Sequence, residues 1–237
     1  GHECFIKAKG VAATELKAPT ANVLTYGDKL LNKDLTAPEE LVKTIAEDGA
    51  VWKWTSEGSV PVASAVDDEG KVITEQRDKY EVSIKVTTDN FDYSKLEGSA
   101  FRYVDGYLYT DVAVTVNRRA LEVEWTDPTS EELVYNGEAK ADPKAEGTNF
   151  VGTYSYELKV TRTNGDGVNV GSNEYKAEFV NAEAYKNYTV DATHSNEITH
   201  QPVEAKDLTA PTARELTYGD ELLNKDITAP EGLVKTI

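Results

Sequence analysis

Apolar and polar side chains alternate with period two along much of this chain. Tyr80, Val82, Ile84 and Val86 share one face, with Glu81, Ser83 and Lys85 on the other. Val112, Val114 and Val116 repeat the pattern, as do Leu121, Val123 and Trp125, and Tyr154, Tyr156, Leu158 and Val160. An extended backbone sends successive side chains to opposite faces, so the alternation predicts half-buried strands. Asp105-Gly106, Asn136-Gly137 and Asn164-Gly-Asp-Gly167 read as the turns between them. The stretch from Pro38 to Gly49 carries mixed signals. Pro38, the early acids, the spacing of Leu41, Val42 and Ile45 and the final glycine suit a helix, whereas Val42, Thr44 and Ile45 also suit a strand. Extended structure is expected there, and the chain is expected to be all-β, a tandem of small β-sandwich or related β-grasp-like modules.

The 28 residues from Ala18 to Ile45 recur from Ala210 to Ile237, an offset of 192, with five differences: Asn22/Arg214, Val23/Glu215, Lys29/Glu221, Leu35/Ile227 and Glu40/Gly232. Gly232 weakens the helical option for the repeat by about 1 kcal/mol. Tandem similarity at a fixed offset marks a repeat array. A spacing of 192 suits two modules of roughly 90–100 residues. The expected organisation is a tail of a preceding repeat with its linker over 1–17, one repeat over 18–119, a second of sister type over 120–206, and the truncated start of a third over 207–237. Ala-Pro-Thr enters both the first and the third repeat, at 18–20 and 210–212, and proline stiffens each joint. Links this short favour a semi-rigid array. The third copy is expected to be disordered by itself or ordered by borrowing a partner, since so few residues bury little surface against their ordering entropy.

The 237 residues carry a net charge of −17, which argues against nucleic acid and against anionic membrane surfaces as partners. There is one cysteine, Cys4, so no intramolecular disulfide forms, and no apolar run is long enough to span a membrane.

The first repeat resembles the immunoglobulin-like tandem repeats of bacterial surface proteins known as MBG or YGX-type modules. The residues that carry the resemblance are Leu24-Thr-Tyr-Gly-Asp28, Gly49 with Trp52 and Trp54, Pro61, Tyr80-Glu-Val82, Thr88-Asp-Asn-Phe91 with Tyr93, and Val112-Ala-Val-Thr-Val116. The second repeat looks like a sister type, through Val123-Glu-Trp125, Leu133-Val-Tyr-Asn-Gly137, Gly152-Thr-Tyr154 and Tyr185-Lys-Asn-Tyr-Thr189. The resemblance implies an extracellular protein, secreted or anchored to the cell wall. It implies repeats that serve as a spacer or stalk for a distal domain, with an adhesin-type module for glycans or host surface proteins as the alternative. The stretches 62–79 and 95–106 are longer and more charged than the pattern requires, and lengthened loops are where binding functions are placed.

Candidate chemistry is sparse. No nucleophile–base set, P-loop or metal-ligand spacing is visible around His2, His194 or His200, so no enzyme activity, cofactor or metal is expected. The acidic turns at 67–69, 89–92 and 164–167 offer oxygens to calcium but match no ligand spacing, and they read as solvated turns. Trp52 and Trp54 fall on one face of a strand, where they serve either as core or as a stacking platform for sugars, with core favoured. Tyr103, Tyr107 and Tyr109 cluster around Asp105-Gly106 and are candidate ligand contacts, with strand packing the favoured reading.

Overall fold

The alternation from Tyr80 to Val86 becomes the centre of the largest sheet. A computed structural model describes residues 6–38, 44–96, 98–201 and 210–229, which form strands, turns and short helical segments. Four antiparallel strands lie in the order Lys53–Trp54, Lys79–Lys85, Tyr107–Ala113, Phe101–Val104. Val82 and Ile84 turn inward from the second strand; Leu108, Thr110 and Val112 turn inward from the third. They close a core with Val11, Leu24, Leu30, Ile45, Trp52, Trp54, Leu96, Val114 and Val116. Each large aliphatic side chain fully buried there contributes about 1.5–3 kcal/mol.

Compactness divides the chain into two units: one of Gly1–Thr126, Lys144–Thr161 and Lys176–Thr193, the other of Asp127–Pro143, Arg162–Tyr175 and His194–Ile237. The first holds three two-residue parallel pairs besides the large sheet. Lys9–Gly10 pairs with Phe91–Asp92, Leu24–Thr25 with Val116–Asn117, and Arg119–Ala120 with Tyr188–Thr189. Thr20–Ala21 pairs antiparallel with Leu35–Thr36, and Val123–Thr126 with Lys144–Gly147. A second cluster gathers Leu121, Phe179, Ala184 and Tyr188, with Phe150, Val151, Tyr156 and Tyr185 packed on it.

The long stretch after Pro61 lies along this unit. The Ser64 N–H donates to the Val116 carbonyl at 2.8 Å, and the Val116 N–H donates to Ser64 Oγ at 3.0 Å. Of the ambiguous stretch from Pro38 to Gly49, residues 39–43 lie outside the described residues. Thr44 and Ile45 are helical, against the extended expectation, and Ala46 then bridges Val86. Tertiary fit decides this point, because the turn places Ile45 fully in the core and its carbonyl accepts from the Thr87 N–H at 2.8 Å.

The strands Leu158–Asn164, Gly171–Phe179 and Ala192–Ile198 form one sheet with Gly171–Phe179 in the middle. The alternation expected from Tyr154 becomes regular only at Leu158, and Tyr154 itself is exposed. In the second unit, Val134 bridges Thr199 in parallel. Asp127 accepts from His194 or shares its proton at 2.9 Å, and also accepts from Asn196 at 3.1 Å.

The third copy repeats the local fold of the first. Thr212–Ala213 pairs with Ile227–Thr228 as Thr20–Ala21 pairs with Leu35–Thr36. The Thr217 N–H donates to Asp220 Oδ2 at 2.9 Å, as the Thr25 N–H donates to Asp28 at 2.8 Å. Residues 230–237 of this copy lie outside the described residues. One difference between the copies adds contacts here: Arg214, in place of Asn22, donates from Nε to Asp226 at 2.6 Å and from a terminal nitrogen to Asp220 at 3.3 Å.

Candidate functional site

The aromatic side chains singled out in the sequence do not converge. Trp52 and Trp54 are 3% and 4% exposed, so both indoles belong to the core. Trp54 is fixed from two sides: its Nε1 donates to the Leu31 carbonyl at 3.1 Å, and its backbone N–H donates to Asn32 Oδ1 at 2.9 Å. Strand alternation then separates the tyrosines. Tyr103 pairs with Leu108 on the inner face, whereas Tyr109 pairs with Arg102 on the outer face, which Tyr107 shares. Tyr109 lies under the Arg102 guanidinium at 4.2 Å, and Arg102 is ion-paired to Glu81. Tyr103 stacks on Tyr93, with centroids 4.5 Å apart and planes within 6°. The Tyr93 hydroxyl donates to the Thr87 carbonyl at 2.7 Å. Burial, reinforced by Tyr103, pushes the Tyr93 phenol up to about 12.

Tyr103 and Tyr93 line an open groove of about 710 Å³ together with Thr88, Phe91, Ser94 and Arg102. The groove is formed in part by the lengthened stretch after Lys95. The acidic turns behave as turns: Asp67 accepts from the N–H groups of Glu69 and Lys71, and Asp166 from those of Val168 and Asn169. These last bonds hold the Asp166 carboxyl down at about 2. Among the described residues, no group of three His, Cys, Asp or Glu side chains is placed to hold a metal ion. No described helix is long and apolar enough to cross a membrane.

The most closely built constellation lies at Tyr26, a residue quoted only as part of a motif above. The Leu24 N–H donates to the Thr115 carbonyl at 2.9 Å and the Tyr26 N–H to the Asn117 carbonyl at 2.8 Å, which fixes the strand end. Gly27 follows at φ 100°, a left-handed conformation that favours glycine. The Tyr26 carbonyl accepts from Arg119 Nε at 2.7 Å, and its ring meets Tyr188 edge-on at 5.3 Å. The Tyr188 hydroxyl accepts from the Val151 N–H at 2.7 Å. Asn187 accepts the Arg119 N–H on its carbonyl at 2.9 Å and the Ala63 N–H on its side chain at 3.0 Å. A Cβ on Gly27 would stand 2.6 Å from Val151 Cγ2 and 2.8 Å from Arg119 Nη2. Burial, and then the neighbouring phenols of Tyr188 and Tyr156, raise the Tyr26 phenol above its ordinary value.

Tyr26 is therefore a seat. It packs on both hydrophobic clusters, one built from residues before Arg119 and one from residues after it. The Tyr-Gly pair recurs at Tyr218-Gly219, where Tyr218 is exposed. The polar groups of this constellation are spent on one another. No family model, curated protein or solved structure matches this chain.

Proposed function

We propose that these repeats are a structural spacer or stalk of a secreted or cell-wall-anchored bacterial surface protein of the immunoglobulin-like repeat type, holding a distal domain away from its anchor. On this reading residues 18–119 and 120–206 are successive repeats, and neither is an enzyme. The observation that carries it is the Tyr26 seat. Arg119, Val151 and Tyr188, at and beyond the end of the first repeat, close on Tyr26 and Gly27. A joint of this kind resists bending, and a spacer depends on that property. The alternative, an adhesin for glycans or host surface proteins, loses the tryptophan platform that would have supported it, because Trp52 and Trp54 lie in the core.

The test is ¹⁵N relaxation of the intact chain. The cores before and after Arg119 are expected to tumble with one correlation time, and Gly27→Asn is expected to separate them into two. Independent tumbling in the unaltered protein would remove the basis of the spacer reading.

A further inference from the structure

The chain holds two Asn-Gly pairs, Asn136-Gly137 and Asn164-Gly165. The backbone nitrogen after an asparagine can attack the side-chain amide carbon, and glycine hinders that nitrogen least. The fold treats the two pairs in opposite ways. Asn164 ends the strand Leu158–Asn164, and its Oδ1 accepts from the Gly165 N–H at 2.9 Å. A Cβ on Gly165 would clash with Asn173 Oδ1 and stand 2.8 Å from the Ser172 carbonyl. Asn173 is buried, so this turn has no room to rotate into the attacking geometry.

Asn136-Gly137 lies in a bend that is held at both ends. The Tyr135 N–H donates to the Thr199 carbonyl at 2.9 Å, and the Lys140 N–H to the Gly167 carbonyl at 2.8 Å. Between these anchors Gly137 has φ 81°, with nothing within 4 Å of an added Cβ. Asn136 Oδ1 accepts from the Glu138 N–H at 3.0 Å and from Lys140 Nζ at 2.8 Å. Asn136 Nδ2 donates to the Glu138 carboxylate at 3.4 Å. Two donors, one of them a cation, thus face the oxygen on which charge develops when the amide carbon is attacked. Asn136 and Lys140 also border an open groove of about 440 Å³, which admits water.

We infer that Asn136-Gly137 is a site of spontaneous deamidation selected by the fold, with Lys140 as the donor to the developing oxyanion. The Gly137 nitrogen bonds to Asn136 Cγ as its proton passes to hydroxide. The Cγ–Nδ2 bond then breaks, and the amide nitrogen leaves as ammonia with a proton taken from water. The cyclic imide so formed adds one water at either of its carbonyls. The product is an aspartyl or isoaspartyl residue at position 136; the net change is ammonia lost and water gained. Each event places a new carboxylate beside Lys140. The isoaspartyl form also lengthens the backbone between Tyr135 and Glu138 by one methylene. This chemistry does not depend on the spacer reading.

Ageing the full 237-residue chain at neutral pH, followed by peptide mapping in a mass spectrometer, tests this. Labelling by an isoaspartyl methyltransferase counts the isoaspartyl product. In the folded chain, position 136 is expected to convert while Asn164 is retained. In concentrated urea, where only the shared Asn-Gly sequence acts, the two sites are expected to convert at similar rates. Lys140→Gln keeps the backbone bond to Gly167 but loses the cation. It is expected to slow position 136 roughly tenfold in the folded chain, the effect of one charge-assisted hydrogen bond to the transition state, and to leave the rate in urea unchanged. Lys140→Arg, which restores a cation, is expected to recover most of the rate. Retention of Asn136 in the folded chain, equal conversion of the two sites there, or an unchanged rate in folded Lys140→Gln would overturn the inference.

Discussion

Arg119 Nε donates to the Tyr26 carbonyl at 2.7 Å across 93 residues of sequence. The bond leaves Gly27, the next residue, no room for a side chain. Gly27→Ala adds a left-handed backbone cost of roughly 1 kcal/mol and a clash with Val151 and Arg119 of about 1–3 kcal/mol. Gly219 has nearly the same φ, 101°, but nothing within 4 Å of its absent Cβ. Gly219→Ala is therefore expected to leave the main unfolding transition unmoved, whereas Gly27→Ala lowers it clearly. Thermal denaturation of the two variants side by side checks the difference, and equal midpoints would refute it.

Leu30 and Leu222 are the same residue of the repeat in different surroundings. Leu30 is 0% exposed and Leu222 80%. Leu30→Ala is expected to cost about 2–5 kcal/mol by urea denaturation, the range for a buried leucine. Leu222→Ala should change stability by no more than about 0.5 kcal/mol, as for an ordinary surface position.

The two core tryptophans should respond differently to phenylalanine. Trp54 Nε1 has its acceptor in the Leu31 carbonyl, while Trp52 Nε1 is buried with no hydrogen-bond partner among the described residues. Removing a made bond costs about 0.5–1.5 kcal/mol, and removing an unmet donor relieves a desolvation cost. Trp54→Phe should therefore destabilise more than Trp52→Phe. The reverse order in chemical denaturation would contradict the geometry.

Tyr93 should titrate near 12, two units above the ordinary 10. Its folded value is raised, so the fold favours the neutral phenol. The stability this gives is fully present below pH 10 and is lost as pH rises through 12. Ultraviolet absorbance of phenolate should show a transition near 12 that Tyr93→Phe removes; a midpoint near 10 for that phenol would show that it is not buried.

Much of the fold was legible in residue patterns. The alternation at Tyr80–Val86 and Val112–Val116 located buried strand faces because a period of two has a single structural meaning. It did not reveal which strands pair, so Tyr103 and Tyr109, six residues apart, were grouped although they face opposite ways. Thr44 and Ile45 turned helical because burial of Ile45 outweighed weak local preference. The role of Tyr26 was illegible, since its partners lie 93 and 162 positions away and only the fold brings them together.

Two of the parallel pairs also set how this part of the chain would respond to a pull. A pull through Lys9–Gly10 slides that strand along Phe91–Asp92, and a pull through Val116–Asn117 slides it along Leu24–Thr25. In both places the hydrogen bonds lie across the direction of sliding, so neighbouring bonds strain together. An antiparallel hairpin pulled from its open end would instead lose its bonds singly, each in turn. Under tension the relevant quantity is the rate of unfolding, not the equilibrium stability. The bonds from Leu24 and Tyr26 to the 115 and 117 carbonyls would share such a pull between them.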